Sequence, residues 1–314
     1  MIEVISLVVP FFAVIGCGYL GARLIGESGQ QGINNFVLYF ALPTLLFSMM
    51  ARSDLASRFE IDFVTAYTAT SIVLFAYSFM LFKLLFGLKR RNTAIYAVGT
   101  VYGNTGYMGI PIVVVMMGES ASLPVVLSLL IDLAVMLPIT AAMIESDDPD
   151  HAGGLLHGAR SALVGTLKNP LVIAIALGAL WSMLKLPLPT MANGFIDVMA
   201  AAAAPCALFA MGSSLYGKPL GSSLTPAILV SLLKLIAHPL LLWVALTRVW
   251  NVDPEWARPA LVAASLPVAV TVFVIARQYQ VMVISASTAI VVSSLLSIIS
   301  VPVFMLILQN LPAS

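Results

Sequence analysis

One stretch in the first half of the chain combines polar side chains with residues that interrupt helices. Residues 102–111 read Tyr-Gly-Asn-Thr-Gly-Tyr-Met-Gly-Ile-Pro, inside an apolar segment from about 93 to 117. Glycine and proline destabilise a helix, and Asn104 and Thr105 add hydrogen-bonding groups where a simple membrane helix carries none. In hydrocarbon, irregular backbone is stable only where protein buries it or where it lines a cavity. The stretch is therefore our first candidate for a binding site.

Four ionisable residues lie inside other apolar segments: Asp132, Asp197, Lys234 and His238. A charge at the centre of a bilayer costs at least about 2.5 kcal/mol on insertion scales, so each charge needs a partner or a water-filled cavity. Such groups can titrate near neutral pH, which predicts a network for ion coupling or charge compensation. Two structural alternatives remain: a static Asp132–Lys234 pair that ties helices together, and an interhelical hydrogen bond from His238 beside a kink at Pro239.

The composition determines the class of protein that must hold these groups. The chain has 314 residues, of which 61% are hydrophobic and 9% are charged, and its mean hydropathy is +1.04. Soluble domains carry roughly a quarter of charged residues, so we predict an all-α polytopic membrane protein that contacts the lipid bilayer. The net charge of +1 gives no reason to expect nucleic-acid binding. Motifs for catalysis, metal binding or phosphate binding are missing from the sequence, so we expect no enzyme, metal site or organic cofactor.

Ten apolar segments are long enough to cross the hydrocarbon as helices of roughly 20 residues. Their approximate bounds are 4–24, 32–51, 62–86, 93–117, 120–143, 166–186, 191–215, 225–249, 256–277 and 283–309. A polar linker at 145–165 separates two groups of five. We therefore predict a first repeat over 1–144 and a second repeat over 166–314.

Shared spacings in the two halves indicate a duplication. Pro43 and Pro205 each precede Phe by four residues and Met by six, and they are 162 residues apart. The same offset relates Thr105 to Pro267, which lies inside the ninth segment. A spacing that recurs along successive segments is the signature of a repeat. Because five is odd, the second repeat enters the membrane in the opposite sense, and we predict that spans four and nine are both broken and cross.

Crossed half-helices would suit an anion, because helix N-termini carry free N–H groups and partial positive charge. We expect the fourth span to restart at Ile110-Pro111, since proline favours the first turn of a helix. The predicted ligand-binding residues are Gly103, Asn104, Thr105, Tyr107, Pro111, Pro267 and Val268. The alternative for Asn104 is a cap of its own broken helix.

Lysine and arginine are more frequent on one predicted face of the membrane, around Lys89, Arg90 and Arg91. Basic residues favour the cytoplasmic side. The linker is then cytoplasmic and both termini are not. We expect a multi-pass protein of the cell (inner) membrane.

Residues 103–111 resemble the Gly-Asn-x-Gly-[aromatic]-x-Gly-x-Pro signature of the auxin efflux carrier family. This family includes PIN-type auxin exporters of plants and bacterial malonate and malate permeases, within the bile/arsenite/riboflavin transporter superfamily. The resemblance extends over the ten spans, the linker, the prolines of spans two and seven, and the Ser-Leu-Pro that ends at Pro267. The long central loop of the plant members and an Asn-Pro pair at the second break are missing here.

The resemblance implies a fold similar to that of bile-acid-sodium symporters, with two inverted five-helix repeats. Spans one, two, six and seven would form a scaffold, and spans three to five and eight to ten a transport domain that moves like an elevator. By position, Asn104 and Pro111 match the first crossover and Pro267 the second. A homodimer through the scaffold is also implied.

Together, these features predict a secondary transporter of small organic anions, such as malonate, malate or auxin-like monocarboxylates. Both H⁺ and Na⁺ remain open as coupling ions. A membrane receptor or sensor and a passive channel are the alternatives, since each could use the same pocket. Saturable, gradient-driven uptake would separate a transporter from both.

Overall fold

The computed structural model describes residues 2–55, 59–147, 160, 163–217 and 224–310, and its regular structure within these ranges is helical. The α-helices, in chain order, are α1 (Ile2–Phe36), α2 (Leu42–Arg52), α3 (Ile61–Phe86), α4 (Arg90–Gly99), α5 (Ile110–Met117), α6 (Ser122–Ile131), α7 (Leu137–Glu145), α8 (Pro170–Met183), α9 (Thr190–Leu215), α10 (Thr225–Leu232), α11 (His238–Val244), α12 (Pro254–Ala264), α13 (Val270–Gln278) and α14 (Val283–Asn310). Most of the predicted linker at 145–165 lies outside the described residues.

Six of the described helical segments are long and apolar enough to cross a membrane. They are Val9–Arg52, Ile61–Phe86, Ser122–Glu145, Thr190–Leu215, Thr225–Val249 and Val283–Leu308. The all-α membrane class is therefore confirmed, whereas the count of ten spans stays a prediction. The predicted fourth and ninth spans each consist of two shorter helices, α4 with α5 and α12 with α13.

The first two predicted spans are joined in one helical segment that bends at Gly26. The φ of 64° at this residue lies in the left-handed region, which glycine adopts without a steric penalty. The side-chain amide of Gln30 donates to the carbonyl of Ala22 across the bend, at 3.2 Å. Helix α1 thus changes direction at Gly26 while helical hydrogen bonding continues before and after this residue.

Five-residue π-helical turns interrupt several spans. They are Val37–Ala41, Thr105–Gly109, Asp132–Met136, Leu233–Ala237 and Ala245–Val249. A proline follows each of the first four turns, two residues beyond its end: Pro43, Pro111, Pro138 and Pro239. Proline has no N–H and crowds the carbonyl four residues earlier, which explains a locally widened helix. Two of these turns contain Asp132 and Lys234, so the prolines also affect the direction in which these two charged side chains leave their helices.

The helices pack as two groups. In the first, α1 lies mainly against α9, and α2 lies against α8 and α9. In the second, α3 packs on α4, α4 on α7, α6 on α12, and α10 on α14. Contacts between the groups are sparser and include the π turn Thr105–Gly109 against α9.

Glycine permits the closest helix contacts of the first group. A Cβ atom on Gly18 of α1 would clash with the backbone carbonyl of Phe209 in α9, and one on Gly178 of α8 would lie 2.6 Å from the carbonyl oxygen of Phe47 in α2. Phe47 and Phe209 are 162 residues apart, which is the offset between the two predicted repeats. The α1–α9 and α2–α8 contacts thus involve phenylalanines at corresponding positions of these predicted repeats.

Candidate functional site

The two broken segments lie side by side. The backbone N–H of Asn104 donates to the carbonyl of Pro267 at 2.8 Å, and that of Ala269 donates to the carbonyl of Tyr102 at 3.1 Å. Between these bonds, Gly103 and Val268 form an antiparallel bridge. Unwound backbone in apolar surroundings must find new hydrogen-bond partners. Here each break supplies partners for the other.

Gly103 allows a lysine to approach this crossing. A Cβ at this position would lie 3.1 Å from the carbonyl oxygen of Ala263 and 3.1 Å from Nζ of Lys234. Both distances are shorter than ordinary van der Waals contact. Glycine is therefore needed here for close packing.

Lys234 is fully buried beside the crossing. Its Nζ donates to the carbonyl of Ala264 at 2.6 Å and lies 2.9 Å from Nδ1 of His238. Ala264 is the last residue of α12, and carbonyls at a helix C-terminus carry partial negative charge. The ammonium thus stabilises the end of the first half of the broken ninth span.

The tautomer of His238 depends on the charge of Lys234. When Lys234 is an ammonium group, which only donates, Nδ1 accepts and the neutral ring carries its proton on Nε2. Nε2 is buried and has no hydrogen-bond partner among the described residues. This N–H can therefore bind a water molecule or a ligand.

Asp132 is fully buried and accepts hydrogen bonds from the hydroxyl of Tyr67, at 3.3 Å to Oδ1 and 3.4 Å to Oδ2. The ring of Tyr67 contacts that of His238 edge-on, with centroids 6.1 Å apart. The direct contacts of the Lys234 ammonium are Ala264 and His238 rather than Asp132. Tyr67 thus links the carboxylate to the Lys234–His238 pair. The described residues show no direct ion pair between Asp132 and Lys234, which was one of the two structural alternatives.

The polar residues of the first break point toward α9 and into the protein. Nδ2 of Asn104 donates to Sδ of Met211 at 3.0 Å. Asn104 occupies the N-cap position of the turn Thr105–Gly109, where its backbone carbonyl accepts from Met108 and Gly109, but its side chain makes no capping hydrogen bond. Oγ1 of Thr105 is buried without a hydrogen-bond partner among the described residues. Helical geometry resumes at Thr105, five residues before the predicted restart at Ile110.

Asp197 lies in a different environment from the other three candidate ionisable residues. Its Oδ1 is 2.5 Å from Nη2 of Arg52, and both side chains are partly exposed. The same Nη2 donates to Oδ1 of Asn193 at 3.0 Å. Arg52 and Asp197 line a cavity of about 320 Å³ together with Pro111. The structure thus does not bring Asp197 together with Asp132, Lys234 and His238.

The remaining predicted residues lie at or near the crossing. Tyr107 is half-buried in the π turn, Pro111 is buried at the start of α5, and Pro267 and Val268 are buried in the second break. The N–H of Val268 donates to Oγ of Ser293 at 3.1 Å.

Four residues in these contacts were missed by sequence reasoning about the site: Arg52, Tyr67, Met211 and Ser293. Polar positions at helical spacing provided a signal for Tyr67, which shares a face of α3 with Ser71 and Ser78. Met211 carries no such signal. A methionine in an apolar helix looks like an ordinary core residue, and only the contact with Asn104 shows that its sulfur accepts a hydrogen bond.

A family model described as "Membrane transport protein" matches residues 3–152 and 155–305 of this chain. The chain belongs to this family, the auxin efflux carriers. The family resemblance first seen at residues 103–111 is thereby confirmed, and the match extends over nearly the whole chain.

Curated relatives of this chain include bacterial proteins and a plant protein. A protein of Rhizobium meliloti (strain 1021) named "Putative malonate transporter" is 34% identical over 325 residues, covering 100% of this chain and 99% of the relative. "Uncharacterized transporter YfdV" of Escherichia coli (strain K12) is 24% identical, covering 94% of each chain. "Auxin efflux carrier component 5" of Arabidopsis thaliana is also 24% identical, with 94% of each chain covered. This member of the auxin efflux carrier family is therefore a membrane transporter and not an enzyme.

Proposed function

We propose that this protein is a secondary active transporter of small carboxylates, which bind where the two broken helices cross. The observation that carries the proposal is the pairing of the breaks beside the buried Lys234. The relative named for malonate favours a dicarboxylate as substrate. Auxin-like monocarboxylates form the second substrate class, because a plant relative is named for auxin efflux.

The crossing offers several groups that suit a carboxylate. The first turns of the two restarted helices include the amides of Gly106 and Val270, and amides in a first turn have no intrahelical acceptor. Thr105 adds an unpartnered hydroxyl, and Asn104 adds a side-chain amide. Lys234 supplies positive charge in surroundings from which water is excluded, where electrostatic attraction is strong.

An elevator motion is supported by the two groups of helices. We propose that α1, α2, α8 and α9 are the scaffold and that the second group, which carries the crossing, is the transport domain. The equivalent use of Phe47 and Phe209 in the scaffold supports two inverted five-helix repeats. The cavity that contains Arg52 and Pro111 lies between α2, α9 and α5, so it provides a path for the substrate between scaffold and transport domain.

Coupling would use the buried polar groups near the crossing. Protonation of the Asp132–Tyr67–His238–Lys234 cluster would couple transport to H⁺, whereas the carbonyls of the unwound segments would hold Na⁺. We further propose an inner-membrane location with both termini outside the cytoplasm, and a homodimer formed through the scaffold.

Uptake into proteoliposomes tests this function. Purified protein is reconstituted and supplied with radiolabelled malonate, malate or an indole monocarboxylate, with and without imposed pH and Na⁺ gradients. Saturable accumulation above equilibrium, driven by one gradient, is expected for at least one carboxylate. Flux that only equilibrates would instead indicate a channel, and binding without flux would indicate a receptor.

A further inference from the structure

Two adjoining cavities lie on the surface of the second group of helices, outside the crossing. The apolar part has a volume of about 520 Å³ and lies between α10, α11 and α14, with Leu235, Leu296 and Phe304 among its walls. The polar part has a volume of about 810 Å³. Trp243 and Leu308 line both parts, so the two parts adjoin at these residues, and we refer to them together as the α10–α14 groove.

The polar part collects opposite charges at one end of the predicted eighth span. Arg248 lies in the π turn that ends this span, and its side chain is exposed. Glu60 precedes α3, and its Oε1 accepts the backbone N–H of Asp253 at 3.3 Å. The second carboxylate oxygen of Glu60, Oε2, is buried without a hydrogen-bond partner among the described residues. Arg258 and Asp253 also line this part. The groove thus offers arginine side chains and an acceptor without a hydrogen-bond partner beside an apolar cavity.

The environment of Glu60 favours a bound cation. Partial burial raises the pKa of the Glu60 carboxyl, and the nearby carboxylates of Asp253 and Asp62 raise it further, against the lowering effect of the Asp253 hydrogen bond. An ammonium group at Oε2 would offset both the burial of the carboxylate and its repulsion by the neighbouring carboxylates, since an opposite charge stabilises the ionised form.

These features identify the class of ligand. The walls of the apolar part belong to candidate membrane spans, so hydrocarbon chains of lipid are the available apolar ligand. A phosphate suits Arg248, and a primary ammonium suits Glu60. An anionic lipid without an amine would leave Oε2 of Glu60 unpaired. We propose that the α10–α14 groove is a specific site for an aminophospholipid, with its acyl chain between α10, α11 and α14, its phosphate at Arg248 and its amine at Glu60.

The site lies directly behind the candidate transport site. Leu235 and Ile236, which line the apolar part, belong to the same π turn as Lys234. An acyl chain in the groove would pack against this widened turn. The bound lipid would therefore stabilise the helix that presents Lys234 to the crossing.

Lipid retention by the unaltered full-length protein tests the headgroup assignment. Delipidated protein in detergent is exposed to dioleoyl phosphatidylethanolamine, its N-acetylated derivative or dioleoyl phosphatidylglycerol, and retained lipid is measured by mass spectrometry. Retention of phosphatidylethanolamine about tenfold above the other two is expected, because only this lipid offers a charge-assisted hydrogen bond to Glu60. Equal retention of phosphatidylethanolamine and its N-acetylated derivative would overturn the proposal.

Variants locate the site. Glu60→Gln should remove the preference for the amine, and Arg248→Gln should lower the retention of all three lipids. Leu296→Trp should obstruct the apolar part, whereas Ile72→Trp is a matched control on α3, since the two residues are 40% and 42% exposed. If Leu296→Trp retains as much phosphatidylethanolamine as Ile72→Trp does, the lipid binds elsewhere and the proposal is wrong.

Discussion

Lys234 shows how one buried side chain can serve both the fold and the proposed transport. Its ammonium satisfies the carbonyl of Ala264, at the end of α12, and Nδ1 of His238. It also lies close to the backbone at Gly103, where a carboxylate is proposed to bind. A buried charge is costly unless it is paired, and here the carbonyl of Ala264 and Nδ1 of His238 are its partners.

Replacement of this lysine tests both roles. Lys234→Met keeps the length of the side chain but leaves the Ala264 carbonyl and His238 without their donor. We expect a loss of stability of about 1–3 kcal/mol, measured by thermal unfolding in detergent, and loss of carboxylate uptake into proteoliposomes. Lys83→Met, at an exposed lysine in the last turn of α3, is the control. Normal uptake by Lys234→Met would exclude Lys234 from the transport mechanism.

Asn104 allows a more selective test, because its backbone and side chain have separate tasks. Asn104→Ala keeps the backbone bond to Pro267 and removes only the side-chain amide. Substrate affinity should fall by about tenfold or more, since a hydrogen bond to a charged group is lost, while the unfolding temperature changes little. Titration calorimetry on the purified variant measures this, with Asn92→Ala in α4 as the control. An affinity equal to that of the unaltered protein would remove the Asn104 side chain from the binding site.

At the scale of elements, proline and glycine decide how the helices are shaped and how closely they pack. Prolines follow four π turns, and two of these turns present Asp132 and Lys234. Glycines bring α1 onto α9 and α8 onto α2 at backbone contact. Helices in lipid gain little from the hydrophobic effect between themselves, so close packing through small residues is a main source of their association.

Two glycines on α1 separate this packing effect from helix propensity. A Cβ on Gly18 would meet the Phe209 carbonyl, whereas a Cβ on Gly16 would meet nothing within 4 Å. Gly18→Ala should therefore destabilise the protein by about 1–3 kcal/mol, and Gly16→Ala should be neutral or slightly stabilising. Thermal unfolding of the two variants in the same detergent measures the difference. Equal unfolding temperatures would show that α1 and α9 are not in backbone contact.

At the scale of the whole molecule, the contacts between the two groups of helices are sparser than those within each group, as the proposed elevator motion requires. The contacts across it include the hydrogen bond from Asn104 to Met211 and the walls of the cavity that contains Arg52. Few direct bonds would have to break as one group moves along the other. If transport occurs by an elevator motion, a covalent link across this interface should stop it, because the two groups could no longer move relative to each other.

Cross-linking tests this requirement. In a background without native thiols (Cys17→Ala, Cys206→Ala), Val114→Cys in α5 and Ala204→Cys in α9 line the same cavity from opposite groups. Joining them with a short bis-thiosulfonate reagent should abolish uptake, and a reductant should restore it. The control pair, Ser48→Cys and Ala201→Cys, lies on α2 and α9 within one group and should leave uptake unchanged after cross-linking. Full uptake by the cross-linked first pair would contradict an elevator motion.

The sequence alone determined the membrane class, the helical secondary structure and the positions of both helix breaks. These properties depend on hydropathy and on glycine and proline, whose effects act over a few neighbouring residues. The motif at 103–111 also sufficed to identify the family, because its spacing is specific. Residues such as Gly103, Asn104 and Pro267 could therefore be selected before any contact was known.

Only the tertiary structure decided which side chains meet. Lys234 bonds to Ala264 and His238 instead of Asp132, Asp197 pairs with Arg52, and Asn104 donates to Met211 rather than to its own helix. Each of these partners except His238 lies far away along the chain or carries no polar pattern of its own. Hydrogen bonds and ion pairs depend on distances of a few ångströms between helices, and these distances follow from how the whole bundle packs rather than from any local stretch of sequence.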